Sequence, residues 1–201
     1  MKRMIAFAAG AVLAFAGTTA SAQQNEGKAL ATGVCSACHG PNGQSISPVF
    51  PNLAGQQSAY IVLQLDAFRG KMRGDPNAQA YMWGMASQLS ETAIKSVADY
   101  YASQKPAAGV AGDPALMAEG RKIFTEGIPQ QGVPACASCH LPGAEGVAAF
   151  PRLAGQHVEY LTAQLEGFKS GIRANAPIMS NVVKSMSSEQ LRAAATYAAS
   201  K

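Results

Sequence analysis

The stretch that decides the fold is Cys35-Ser36-Ala37-Cys38-His39, which returns 101 residues later as Cys136-Ala137-Ser138-Cys139-His140. These two motifs hold all four cysteines of the chain and two of its three histidines. In C-x-x-C-H spacing, the two thiols can add to the two vinyl groups of one haem, and the adjoining histidine then lies under the iron as a ligand. The sequence therefore predicts two covalently bound haem c groups.

A C-x-x-C pair has three other possible uses. A structural disulfide within each pair is possible in an oxidising compartment. A thioredoxin-like redox motif requires a strand-to-helix setting, and no window alternates apolar and polar residues clearly enough to predict a strand. A zinc site requires four ligands, whereas each half offers two cysteines and one histidine nearby. The recurrence of the whole C-x-x-C-H motif in matching contexts favours haem attachment.

The repeat extends outward from the cysteines. Phe50-Pro51-Asn52-Leu53-Ala54-Gly55-Gln56 returns as Phe150-Pro151-Arg152-Leu153-Ala154-Gly155-Gln156, and further matches follow in both halves. Such self-similarity indicates a tandem duplication of one small unit. A Pro- and Gly-containing stretch separates the copies. We predict a first domain over residues 23–104, a linker over residues 105–113 and a second domain over residues 114–201.

The N-terminus has the features of an export signal. Lys2 and Arg3 precede an apolar run, residues 4–15, that is too short to span a bilayer comfortably. Ala20-Ser21-Ala22 then matches a small-x-small cleavage site. We predict that residues 1–22 are a cleaved signal peptide and that the mature chain resides in the periplasm. An uncleaved anchor is the alternative. No later stretch is apolar enough to span a membrane, although peripheral association with a membrane remains open.

Composition excludes several classes of function. The formal net charge is +4, and without Lys2 and Arg3 there remain 14 basic against 12 acidic residues. Two haems would add propionate carboxylates, so the isoelectric point near 8.9 does not indicate nucleic-acid or membrane binding. We find no Ser-His-Asp set, paired catalytic carboxylates or phosphate-binding loop. Aromatic residues make up only 7% of the chain, so we expect haem to supply apolar volume to both cores.

The fold class predicted by the apolar periodicity is all-α. Helices are expected over about 57–69 and 157–170, and shorter ones over 26–34 and 115–125 precede the cysteine motifs. Ser90 is expected to cap a last helix in the first half, and Ser187 with Gln190 forms a capping box in the second. Asp113 and Pro114 mark the start of the helix that follows the linker.

The candidates for the second iron ligands are methionines, because no repeated histidine is left. We expect His157 to be a surface residue, because glutamine stands at the matching position of the first half. Leu89 and Met186 directly precede the two capping serines. Met82 lies seven residues before Leu89, and Met179 lies seven residues before Met186, both in stretches that look like loops. We predict that both methionines bind iron, which would raise the reduction potential and close the sixth position. An ordinary core role is the alternative, and Met85 competes with Met82.

A ligating histidine also needs an acceptor for its other ring nitrogen. Pro51 and Pro151 follow the two motif histidines by 12 and 11 residues. A backbone carbonyl at each proline could accept this hydrogen bond, and a plain turn proline is the alternative. Leu53 and Leu153, just beyond, are expected to pack against haem.

These motifs resemble class I cytochrome c, and their duplication behind a signal peptide, with F-P-x-L-A-G-Q in both halves, resembles the diheme cytochrome c4 family. The resemblance covers essentially the whole mature chain. It implies two tandem class I cytochrome c-like domains, each wrapped around one covalently attached haem, with the haems facing each other. Transferred to this sequence, it implies haem attachment and iron ligation by two sets of residues, namely Cys35, Cys38, Cys136 and Cys139 for attachment and His39, Met82, His140 and Met179 for ligation.

The sequence departs from the class I pattern in two places. The pattern has a glycine and then an aromatic residue in its first helix, as in Gly120 and Phe124, whereas the first half has Gly27 and Ala31. The second half also has extra residues, 127–134, before its cysteines.

The resemblance implies a periplasmic electron carrier that performs no catalysis. Its electron donors would be proteins such as a quinol–cytochrome c reductase or a dehydrogenase, and its acceptor a terminal oxidase or similar protein. One alternative is an electron-transfer subunit docked to a dehydrogenase or oxidase complex. A diheme enzyme is the less favoured alternative, because no further repeated histidine or cysteine is present.

Overall fold

The computed structural model describes residues 16–201, with side chains from residue 23 onward. Most of the predicted signal peptide, residues 1–22, therefore lies outside the described residues. Between residues 16 and 201 the chain forms helices and three isolated β-bridges but no strand, so the all-α prediction is confirmed. In the same range, no helix combines the length and the apolar character that crossing a membrane requires.

Ten α-helices follow one another over residues 16–201 in two matching sets. The first half contains α1 Ala16–Thr32, α2 Ser36–His39, α3 Ser58–Arg69, α4 Trp83–Ser87 and α5 Glu91–Ala102. The second half contains α6 Pro114–Glu126, α7 Ala137–His140, α8 Val158–Ser170, α9 Pro177–Val183 and α10 Ser188–Ala199. A π-helical turn, Ala78–Met82, leads into α4, and a 3-10 turn, Pro129–Gln131, lies before α7.

The predicted caps determine where the long helices begin. The Ser90 hydroxyl accepts a hydrogen bond from the Ala93 N–H at the start of α5. Ser187 and Gln190 form both bonds of a capping box at α10. The Asp113 side chain accepts from two backbone N–H groups at the start of α6, where Pro114 occupies the first helical position. These caps satisfy donors that a helix N-terminus leaves free, and they confirm the predictions.

Each domain is built on a close crossing of its first and last long helices. Helix α1 packs on α5, and α6 packs on α10. A Cβ at Gly27 would collide with the Ser96 carbonyl, and a Cβ at Gly120 would collide with the Ala193 carbonyl. Glycine therefore allows a close approach of the two helices in both halves. This holds although the residue four positions after the glycine differs between the halves.

The cores reach the predicted haem-binding residues. In the first domain one cluster joins α1, α3 and α5, and Cys35 and Met82 pack against it. In the second domain Cys136 packs against both core clusters and Met179 against one of them. The extra residues before α7 contribute Val133, which is buried in the same core. The apolar interior of each domain is thus continuous with its candidate cofactor site.

The two domains contact each other through matching segments. Arg73 and Arg173 form an antiparallel β-bridge, and the Gly74 N–H donates to the Ile172 carbonyl over 3.0 Å. Residues 105–113 have no regular secondary structure. This segment still contacts the first domain, because the Gln44 side-chain amide donates to the Lys105 carbonyl over 2.9 Å.

Candidate haem-binding sites

The cysteine motifs each form one helical turn. Cys35 caps α2 and Cys136 caps α7. The His39 N–H donates to the Cys35 carbonyl over 3.0 Å, and the His140 N–H donates to that of Cys136 over 2.9 Å. Residues three and four apart in a helical turn lie on one side of it. The turn therefore brings both thiols and the imidazole of each motif to the same side.

All four thiols are free and partly buried. Burial raises the pKa of Cys35, and it raises that of Cys136 to about 11. Both thiols are therefore protonated at neutral pH. A pair of free thiols next to a histidine is the arrangement that thioether attachment to a haem requires.

The two motif histidines are buried and held in one tautomer. His39 and His140 are 7% and 6% exposed. Their Nδ1 atoms lie 2.9 Å from the Pro51 carbonyl oxygen and 3.0 Å from the Pro151 carbonyl oxygen. A carbonyl only accepts, so Nδ1 must carry the proton and Nε2 keeps a free lone pair. The predicted role of the proline carbonyls is confirmed.

Burial also lowers the pKa of both histidines, although the proline carbonyls act in the opposite direction. The neutral imidazole that results is the form that binds a metal. Phe50 and Phe150 meet the histidine rings edge-on, with ring centroids 6.2 and 6.4 Å apart. Sequence reasoning assigned these phenylalanines no role, although their repetition in F-P-x-L-A-G-Q was visible.

The two methionines do not lie in loops, and this part of the prediction was wrong. Met82 ends the π-helical turn and Met179 lies within α9, which begins at Pro177. Both are partly buried against the core of their own domain. Met85, the competitor of Met82, has 49% of its surface exposed. Core packing therefore favours Met82 over Met85 as the residue that faces the cofactor.

The chemistry of these donors fits haem c. Each domain offers two free thiols, a neutral imidazole with a lone pair on Nε2, and a partly buried thioether. Imidazole and thioether are the axial ligand pair of electron-transfer cytochromes c. Leu53 and Leu153, predicted to pack against haem, are partly buried against the cores beside these donors.

Sequence reasoning missed a polar network between the domains. Arg73 and Arg173 are each only 3% exposed. Arg73 donates to Gln164 Oε1 over 2.6 Å, and Arg173 donates to Gln64 Oε1 over 2.8 Å. Each guanidinium also lies over a phenylalanine of its own domain. The sequence did offer one signal for this network, because the arginine, glutamine and phenylalanine of the first domain each recur 100 positions later.

The two arginines differ in their counter-charge. Arg73 makes a bidentate ion pair with Asp75, over 3.0 and 3.1 Å. Asn175 stands at the matching position, and its Oδ1 accepts from Arg173 over 3.3 Å. Burial alone would lower the pKa of Arg73, but Tyr160, Tyr60 and Asp75 together raise it above its ordinary value. Arg73 is therefore a buried cation that is stabilised by its surroundings.

His157 is not a surface residue, and this interpretation was wrong. It is partly buried, and its Nε2 lies 3.0 Å from the Ser45 carbonyl oxygen of the other domain. Because that oxygen only accepts, Nε2 donates. His157 therefore belongs to the contact between the domains.

The chain matches known proteins over nearly its whole length. The cytochrome c family model matches residues 24–105 and again residues 117–200. Cytochrome c4 from Thiocapsa roseopersicina is 40% identical over 176 residues, which cover 85% of this chain and 88% of that protein. A thiosulfate dehydrogenase electron acceptor from Thiomonas intermedia is 37% identical over 171 residues, which cover 82% of this chain and 77% of that protein.

A solved structure agrees with these matches. The crystal structure of reduced recombinant cytochrome c4 from Pseudomonas stutzeri has a TM-score of 0.78 and 38% sequence identity, and the match covers 90% of this chain and 97% of that one. The two tandem domains of the fold thus coincide with the two matches of the family model. The chain belongs to the cytochrome c family and, within it, to the two-domain cytochrome c4 proteins that carry two covalently bound haem c groups.

Proposed function

We propose that the chain is a periplasmic diheme carrier that passes single electrons between respiratory redox proteins. The observation that carries this proposal is the same donor set in both domains, a buried neutral histidine beside two free thiols. Bound haem supplies the one-electron iron couple. The protein's part is to fix the ligands in place, and the Pro51 and Pro151 carbonyls do so by holding both imidazole rings.

The proposed residue roles follow the two repeats. In the first domain, residues 23–104, Cys35 and Cys38 attach haem, and His39 and Met82 bind its iron. In the second domain, residues 114–201, the corresponding roles belong to matching residues, namely Cys136, Cys139, His140 and Met179. A methionine thioether bound to each iron would leave no open site for oxygen or peroxide, which supports a carrier over an enzyme.

The proposed partners are redox proteins that dock transiently. The first candidate acceptor is a protein such as a terminal oxidase. A second candidate is favoured by the relative from Thiomonas intermedia, since a chain 37% identical to this one is described as the electron acceptor of thiosulfate dehydrogenase. Under that candidate the electron donor would be a thiosulfate-oxidising enzyme.

The test is an optical redox titration of the purified holoprotein together with a haem count per chain. We expect two covalent haems, both low-spin and both with the weak sulfur-to-iron band when oxidised. Met82→Ala and Met179→Ala should each remove half of that band, whereas the exposed Met85→Ala should leave it unchanged. High-spin character or ready cyanide binding in the parent protein would contradict the carrier proposal and favour an enzyme.

A further inference from the structure

One peptide group in each domain connects that domain's histidine to the other domain. The Pro51 carbonyl accepts from His39 Nδ1 over 2.9 Å, and the N–H of the same peptide, that of Asn52, donates to Gln156 Oε1 over 2.8 Å. The second domain repeats this arrangement. The Pro151 carbonyl accepts from His140 Nδ1 over 3.0 Å, and the Arg152 N–H donates to Gln56 Oε1 over 2.8 Å.

The first of the two glutamines is fixed in orientation. Gln156 Oε1 also accepts from the His157 N–H over 3.1 Å, and Gln156 Nε2 donates to the Asn52 carbonyl over 2.9 Å. Two N–H donors on one side-chain atom identify that atom as the oxygen.

Gln56 is held in the same way. Its Oε1 accepts from the Gln57 N–H over 3.0 Å, and its Nε2 donates to the Arg152 carbonyl over 2.9 Å. Each glutamine therefore presents an immobile acceptor to the opposite domain.

The peptide group transmits an effect because its two ends share one π system. An acceptor on the N–H favours the resonance form with more negative charge on the carbonyl oxygen, and linked hydrogen bonds strengthen one another. A more negative Pro51 oxygen binds the His39 Nδ1 proton more tightly. A stronger bond at Nδ1 makes Nε2 a more basic ligand, which favours oxidised iron.

We propose that the domains tune each other crosswise: Gln156 lowers the reduction potential of the first domain, and Gln56 lowers that of the second. Both glutamines are positioning residues, since each acts through a peptide group and a histidine and touches no iron. The inference rests on the proposed function, because it assumes that both histidines bind haem iron.

Linkage makes the effect reciprocal. If Gln156 favours the oxidised first domain, oxidation of that domain must strengthen the Asn52–Gln156 contact by the same factor. The contact between the domains therefore responds to the charge state of each domain.

The test compares Gln156→Ala and Gln56→Ala with the matched control Gln57→Ala in the full-length holoprotein. Gln57 Nε2 also reaches the other domain, where it donates to the carbonyls of Glu145 and Gly146 over 3.1 and 3.2 Å, but it touches no proline peptide. The two midpoint potentials are measured and assigned to their domains with Met82→Ala and Met179→Ala. A second readout is the NMR shift of the Nδ1 proton of His39 and His140 in the reduced protein.

We expect a crossed pattern. Gln156→Ala should raise the equilibrium constant for reduction of the first domain by at most about fivefold, since only the part of one hydrogen bond's free energy that differs between the oxidised and reduced states counts, and should leave the second domain nearly unchanged. Gln56→Ala should do the reverse, and Gln57→Ala should move neither domain. The His39 proton should shift upfield only in Gln156→Ala. In Gln156→Glu, which keeps an acceptor, the first-domain potential should not rise.

Equal shifts in both domains, or the same shifts in Gln57→Ala, would overturn the proposal and leave the glutamines a purely structural role. These outcomes are distinct from failure of the proposed function. That failure would show in the parent protein as missing haem or a high-spin spectrum before any glutamine is changed.

Discussion

The two domains place a large core ring at their helix crossing on opposite helices. In the first domain Tyr101 of α5 packs in one core with Ala31 of α1. In the second, Phe124 of α6 packs in one core with Ala198 of α10. Counted from the paired glycines and from the paired capping serines, Ala31 matches Phe124 and Tyr101 matches Ala198. One large ring and one methyl group are present in each case, and only their places are exchanged.

A third pair of matching residues also differs between the two domains. Gly43 and Ala144 match and have positive φ angles of 76° and 55°. The carbonyl of each accepts two N–H groups from its F-P-x-L-A-G-Q segment. A Cβ at Gly43 would lie 2.7 Å from Tyr101 Cδ1, whereas Ala144 is fully buried in a core without that ring. The comparison shows that each core keeps its volume although a different helix supplies the large side chain, provided that neighbouring residues change with it.

The largest effect is expected from removing one haem attachment. Cys35→Ala with Cys38→Ala should leave one haem per chain and unfold the first domain, because its core opens onto the cofactor site and such a small domain has little other apolar volume. Haem counting and hydrogen exchange resolved by domain would measure this. The mirror variant, Cys136→Ala with Cys139→Ala, should unfold only the second domain. Native protection in a haemless domain would contradict the prediction.

The exchange of aromatic residues predicts a rescue. Tyr101→Ala should lower the free energy of unfolding of the first domain by about 3–5 kcal/mol, because it leaves a large cavity. Adding Ala31→Phe should recover at least about 1 kcal/mol, since phenylalanine at the matching position packs in the core of the second domain. Chemical denaturation of the holoprotein would measure both variants. If Ala31→Phe lowers stability further in the Tyr101→Ala background, the two crossings are not interchangeable.

The smallest effect concerns the third position. Gly43→Ala should lower the free energy of unfolding of the first domain by about 1–3 kcal/mol, because the new methyl group would overlap the Tyr101 ring. In the Tyr101→Ala background the same change should cost less. The mirror change, Ala144→Gly, should alter stability by at most about 1 kcal/mol, since relief at a positive φ offsets the extra freedom of glycine in the unfolded chain. If Gly43→Ala lowers the free energy of unfolding equally with and without Tyr101, position 43 is independent of the exchange of aromatic residues.

Local signals predicted most of the fold. The caps at Ser90, Asp113 and Ser187 gave the starts of three helices because each bond is made within three residues in sequence. The proline carbonyls were also predictable, because the spacing from the motif histidines to Pro51 and Pro151 is nearly the same in both halves.

Contacts over long distances were not predictable in the same way. His157 donates to Ser45, 112 residues away, and nothing near either residue indicates that contact. The helical turns around Met82 and Met179 were missed because short helices depend on packing more than on their own sequence. Pro177 at the first position of α9 was a signal that the sequence did offer.

The contact between the domains has the form of a symmetric homodimer. Gln56 reaches residue 152 and Gln156 reaches residue 52, just as residue i contacts j and j contacts i in an isologous pair. Joining two such copies in one chain replaces association from solution with a high local concentration. It also frees the copies to diverge. A homodimer of one gene cannot place aspartate beside one arginine and asparagine beside the other, but this chain does so with Asp75 and Asn175.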